Sequence, residues 1–133
     1  MSQDTLKLAY GAMAALSRGD LASLIAGADP EVEWHSFFAE LGAGGVYHGH
    51  DGTRQYLGDL AEAWEVVRAD IDDGLAVDDV AVLIGRIHYR GKGSGIETET
   101  AAGWVLKFRE GKVIRFRAFR EPARALEAVG LAE

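Results

Sequence analysis

The sequence predicts an α+β domain in which helices pack on one face of a curved antiparallel sheet. Three observations lead there. Apolar residues recur at helical spacing through most of the first half of the chain, strict alternation takes over in the second half, and the alternating runs meet at the tight turns 78–79 and 110–111.

Asp4 can cap a helix over 4–18, in which Leu6, Ala9, Tyr10, Met13 and Leu16 share a face and Gly19 provides the stop. Asp20 then caps a shorter helix carrying Leu21, Leu24 and Ile25, broken before Gly27 and Pro30. In 31–35, Val32 and Trp34 alternate with polar partners, which predicts a short half-buried strand with Trp34 inward. Residues 37–50 are Gly-rich and aperiodic, a loop or a short irregular hairpin. Asp51 or Thr53 can start a third helix whose stripe is Tyr56, Leu57, Leu60 and Trp64.

Strand-like runs follow at 66–77 and 80–90. In the second, Ala81, Leu83, Gly85, Ile87 and Tyr89 form the purer apolar face, opposite Val82, Ile84, Arg86 and His88. Residues 91–95 connect to a strand over 96–109, and the turn Glu110-Gly111 leads into 112–120. Ala102, Trp104, Leu106 and Phe108 share one face of the first long strand; Val113, Arg115, Arg117 and Phe119 share one face of the second. These two faces are the candidate inward ones. Pro122 opens a terminal helix with Ala125, Leu126 and Val129.

The 133 residues form one predicted domain, and 48% apolar against 26% charged residues is a globular balance that can bury a core. A net charge of −7 argues against a nucleic-acid partner, since phosphate backbones are bound by clustered Lys and Arg. The absence of cysteine excludes disulfides, thiolate nucleophiles and Cys-ligated zinc. No basic-then-apolar leader and no long apolar run is present, so a cytoplasmic protein with no membrane partner is expected.

The order and spacing of several short motifs resemble the SnoaL-like group of the nuclear transport factor 2-like superfamily. These are Ala15-Leu16-Ser17-Arg18-Gly19-Asp20, Pro30-Glu31-Val32-Glu33-Trp34, Gly49 with Arg54, Gly93-Ser94-Gly95, Phe108-Arg109-Glu110-Gly111-Lys112-Val113, and Ala125-Leu126-Glu127-Ala128-Val129-Gly130-Leu131. The resemblance implies a cone-shaped, cystatin-like α+β barrel, a pocket between the concave sheet and the helices, and a homodimer through the outer sheet face. It also implies that Met13, Trp34 and Trp104 occupy the positions of the ketosteroid isomerases' oxyanion-hole Tyr, general-base Asp and oxyanion-hole Asp. Neither a thioether nor an indole can act as a base, so that reaction is not expected. Tyr56, Leu83, Arg115, Arg117 and Phe119 match pocket-lining positions in the same way, with Arg86 and His88 outside. SnoaL-type cyclases and related epoxide hydrolases keep carboxylates or His on the last strands, and 113–120 contains neither.

The expected site is therefore Met13, Trp34, Tyr56, Leu83, Trp104, Arg115, Arg117 and Phe119 around a small apolar or aromatic molecule, with plain core packing as the competing reading. In a catalytic version, a metal-free isomerisation, cyclisation or lyase step, Arg117 would stabilise oxyanion charge and Tyr56 would donate a hydrogen bond. The alternative is a non-catalytic dimeric binding or accessory module. Arg115 and Arg117 could instead pair with Glu97, Glu99 or Glu121. Glu97 and Glu99 point outward unless a bulge reverses the register. No cofactor and no metal is expected: His48-x-His50 can present two imidazoles, but apart from Asp51 no helix spacing or nearby carboxylate pair supports a site with them or with His35, the Gly91–Gly95 run opens no helix, and the acidic run 70–79 is not a calcium loop. The dimer follows from Val82, Ile84 and Val105, which would leave the outer face apolar.

Overall fold

The structure, a computed structural model, describes residues 2–38 and 45–130. α1 (Ser2–Arg18) ends at Gly19, whose φ of 68° is the left-handed conformation a helix stop requires. Asp20 then accepts from Ser23 N at 3.2 Å and starts α2 (Leu21–Ala26). β1 (Ala28–His35) and β2 (Val46–His48) pair antiparallel, so the Gly-rich stretch ends as the second arm of a hairpin; its middle, 39–44, lies outside the described residues. α3 (Gly49–Ala63) begins earlier than Asp51 and hands over directly to β3 (Trp64–Val77). β4 (Val80–Gly91), β5 (Glu97–Arg109), β6 (Lys112–Phe119) and α4 (Pro122–Ala128) complete the chain.

The strands form one open sheet in the order β2-β1-β6-β5-β4-β3. All neighbours are antiparallel except β1 and β6, which run parallel, so the sheet is mixed rather than wholly antiparallel. β1 and β6 are far apart in sequence, and no hairpin dictates their direction. Helices α1 to α3 cover the inner face, where Val32, Trp34, Ala81, Leu83, Ile87, Ala102, Trp104, Leu106 and Phe116 are buried. Two hydroxyls fasten α1 to the β3–β4 hairpin: Thr5 Oγ1 donates to Asp78 O at 2.8 Å, and Ser17 Oγ accepts from Ala69 N at 3.1 Å. The second bond satisfies an N–H on the edge strand β3.

α4 departs from the expected one-sided packing. It lies on the outer face, where Ala125 packs with Val82, Val105 and Phe119, flanked by Ile84, Leu126 and Val129. Gly103 permits the close approach, because a Cβ there would stand 2.8 Å from the Ala125 Cβ and 3.1 Å from the Pro122 Cα. The apolar outer patch that suggested a homodimer is thus covered by the chain's own last helix. The outer face of β3–β5 beyond it is charged: Arg86 lies 2.9 Å from Glu99 and 3.6 Å from Asp72, and His88 Nε2 lies 2.6 Å from Asp70. No helix among the described residues is long and apolar enough to cross a membrane.

Candidate functional site

The inner face is an aromatic surface held in place by polar contacts at its edge. Trp34 Nε1 donates to Thr53 Oγ1 at 2.7 Å, and Thr53 Oγ1 donates on to Gly49 O at 2.9 Å, which ties β1 to the start of α3. The Trp34 ring packs 5.2 Å from Phe116 and 5.9 Å from Tyr56. Phe37 and Phe38 follow β1 directly: Phe38 stacks on Trp64 at 4.8 Å and meets Tyr89 edge-on at 5.1 Å, while Phe37 lies 5.3 Å from Phe38. Met13, Trp104 and Ala118 close the far side around a void of about 20 Å³. That is room for about one water.

Met13, Trp34, Tyr56, Leu83 and Trp104 are all buried on the inner face, as the sequence suggested. Arg115, Arg117 and Phe119 are not on that face. Between β5 and β6 the register slips: Phe108 pairs with Val113 but Lys107 pairs with Arg115, so Ile114 is an extra, bulged residue. Beyond it the alternation reverses, Phe116 opposes Leu106 and Ala118 opposes Trp104 on the inside, and the two arginines turn out. Arg115 then lies 3.9 Å from Glu33, Arg117 stacks over Phe119 at 4.9 Å, and Phe119 packs beneath α4. Burying two guanidinium groups without carboxylates would cost several kcal/mol, on the order of the penalty for an unpaired buried ion, whereas Phe116 and Ala118 cost nothing of that kind.

Glu97 and Glu99 point outward as expected, because the β4–β5 register is unbroken, and they pair with Arg90 at 3.7 Å and Arg86 at 2.9 Å. Two of the three histidines of interest, His35 and His48, lie at Glu33, and the third turns to a backbone carbonyl. His35 Nε2 lies 3.0 Å from Glu33, which lowers the Glu33 pKa, and the His50 Nε2 lies 2.9 Å from Ala28 O; His48 is exposed opposite Glu33. The Gly91–Gly95 segment is a β4–β5 connection with positive φ at Gly93 and Gly95.

Tyr56 is buried against Trp34 and Tyr47, and desolvation drives its pKa upward while the Ser36 hydroxyl pulls the other way. It is a hydrogen-bond donor and cannot serve as a base at neutral pH. Tyr47, which sequence reasoning passed over inside the Gly-rich stretch, stacks on Tyr56 at 5.1 Å and donates to Asp59 at 2.7 Å. Desolvation, then the Asp59 carboxylate, pushes its pKa up to about 12. Both phenols favour the neutral form when folded, so their stabilising contribution is complete below about pH 10, the unfolded value, and is lost as pH rises toward 12. Titration followed by tyrosinate absorbance should show Tyr47 and Tyr56 ionising above the ordinary phenol range, in step with loss of near-ultraviolet circular dichroism. A wild-type titration already complete at about pH 10, with no later step for Tyr47→Phe or Tyr56→Phe to remove, would contradict this burial.

Three further depressions adjoin this surface. A rim pocket of about 230 Å³ includes Ser36, Tyr47, Tyr56, Asp59 and Trp64. A mouth of about 500 Å³ is lined by Phe37, Tyr89, Thr98, Thr100, Arg120, Glu121 and Arg124. A groove of about 580 Å³ at the other end runs between α1, α2 and the β5–β6 turn, with Asp4 and Lys7 at the polar positions of an otherwise apolar or small lining.

The model of the SnoaL-like domain matches residues 10–116, which include the second half of α1, all of α2 and α3, the bulge and both inner tryptophans. The chain belongs to this SnoaL-like family. None of the curated proteins matches it. Among solved structures, a nuclear transport factor 2-like protein of unknown function from Burkholderia pseudomallei K96243 superposes with a TM-score of 0.78 at 19% identity, covering 96% of this chain and 98% of that one. TerC, co-crystallised with polyporic acid, superposes at 0.76 with 20% identity over 93% and 96% of the two chains. A ketosteroid isomerase-like fold from Catenulispora acidiphila DSM 44928, in complex with trimethylamine, gives 0.75 at 13% identity over 93% and 92%. These likenesses establish the fold. Within it, this SnoaL-like chain presents an inner void whose lining, among the described residues, contains no carboxylate and no imidazole.

Proposed function

We propose that this SnoaL-like chain binds a small, flat, apolar or aromatic molecule against Tyr56, Trp104 and Phe116, with Trp34 packed behind them, without performing acid–base chemistry on it. The observation that carries this reading is the lining itself: aromatic rings on several sides and no described group able to take up a proton near neutral pH. Tyr56, the one phenol at the void among the described residues, is held neutral. The solved relatives with TerC's polyporic acid or with trimethylamine are consistent with ligand binding in this fold.

The inner face is closely packed around a void of about 20 Å³, so binding requires a side chain to leave. Phe37 is the candidate: it lines both the inner void and the mouth and stands between them. Phe37→Ala should open that partition and raise affinity for naphthalenemethanol roughly tenfold, whereas Ala118→Leu, which fills the void next to Trp104, should abolish binding. Thermal-shift titration reads both, since a ligand at one hundred times its Kd stabilises by about 2.7 kcal/mol. Equal shifts in wild type and Ala118→Leu would place the binding elsewhere.

A further inference from the structure

Resting on that reading, we propose that the ligand is an aromatic carboxylate, whose ring enters past Phe37 and whose anionic group is held at the mouth by Arg120. The mouth differs in chemistry from the interior it leads to. Thr98 and Thr100 oppose Tyr89 and Ile87 on the inner face of the sheet, so their hydroxyls stand directly beyond the aromatic cluster. Arg120 and Arg124 join them with Glu121, leaving one net positive charge in a lining whose apolar floor is Phe37 and Tyr89.

Arg120 is set apart by what surrounds the other arginines. In this acidic chain every arginine from Arg18 to Arg115 has a carboxylate between 2.8 and 3.9 Å away. Arg117 and Arg124 lie over the Phe119 ring at 4.9 and 5.9 Å. Arg120 alone has neither a carboxylate nor a ring partner among the described residues, and it borders a cavity of about 500 Å³. A guanidinium presents paired donors that match a carboxylate, with the two threonine hydroxyls as further donors. A cavity that is aromatic at one end and cationic at the other selects a molecule with the same polarity.

The test compares naphthoate with neutral naphthalenemethanol, by isothermal titration of wild type, Arg120→Ala, Arg120→Lys and Ala118→Leu. Naphthoate should bind wild type about ten- to hundredfold more tightly, the worth of a charge-assisted hydrogen bond. Arg120→Ala should remove that preference and leave naphthalenemethanol unchanged, and Arg120→Lys should restore part of it, more so at low salt. Arg120 is exposed, so circular dichroism of these variants should match wild type. Equal affinity for both probes, or a preference that survives Arg120→Ala, overturns the carboxylate inference while leaving the aromatic site standing. Naphthoate binding that depends on Arg120 but not on Ala118 supports the anion site and overturns the inner-face reading. No binding of either probe overturns both.

Discussion

Phe116→Ala is expected to lower the unfolding free energy by about 3–5 kcal/mol, and Arg115→Ala by no more than about 0.5 kcal/mol. Phe116 is 1% exposed and touches Trp34 and Tyr56, so truncation leaves a cavity that neighbouring rings cannot fill. Among the described residues Arg115 reaches only Glu33, at 3.9 Å on a solvated face, and such a pair is screened. Arg117→Ala should fall between, at about 0.5–1 kcal/mol, from the lost contact with the Phe119 ring. Urea unfolding of the three variants reads the register of β6 directly. A large loss in the arginine variants with a small one in Phe116→Ala would mean that Ile114 is not bulged and that the guanidinium groups face inward.

Gly85→Ala is expected to cost about 3 kcal/mol or more, or to prevent folding. Gly85 pairs with Ile71 where β3 carries an extra residue, and a Cβ there would run into the Asp70 carbonyl oxygen and stand 2.9 Å from the Ile71 Cα. Both obstacles are backbone, which cannot swing away. Gly11→Ala in α1 is the control, since that position has open space around it and the change should stabilise the helix by about 0.5–1 kcal/mol. If Gly85→Ala unfolds at the wild-type urea midpoint, the β3 bulge and the bend it allows are not as described.

Much of this architecture is legible in local patterns because local physics dictates them. Gly19-Asp20 marks the α1–α2 corner through a left-handed stop and a side-chain cap, and the alternation of 80–90 separates Leu83 and Ile87 from Arg86 and His88 correctly. The failures have one origin each. In 113–120 the alternation offers two faces, and the apolar set Ile114, Phe116 and Ala118 was available beside the set carrying two arginines. Val113 and Phe119 made the second set look inward, but the bulge at Ile114 puts Val113 on the inner face and Phe119 on the outer one. The cost of burying two unpaired guanidinium groups was the signal that could have decided it. The position of α4 could not be read from Ala125, Leu126 and Val129, because an amphipathic stripe fits either face of a sheet; Gly103, across from Ala125, is what selects the outer one. The Tyr47–Asp59 pair was hidden because Tyr47 lies in a Gly-rich stretch with no period to interpret.

On the proposal made above, a ligand binds the inner face of the sheet, past Phe37 and beside Arg120. A crystal structure of the chain soaked with naphthoate tests it most directly. The ring should lie between Tyr56, Trp104 and Phe116, with Phe37 displaced from its place beside Phe38 and the carboxylate within hydrogen-bond distance of Arg120. Naphthoate lodged in the groove between α1 and α2, or on the outer face beside Arg115 and Arg117, with the aromatic interior unchanged, would contradict it.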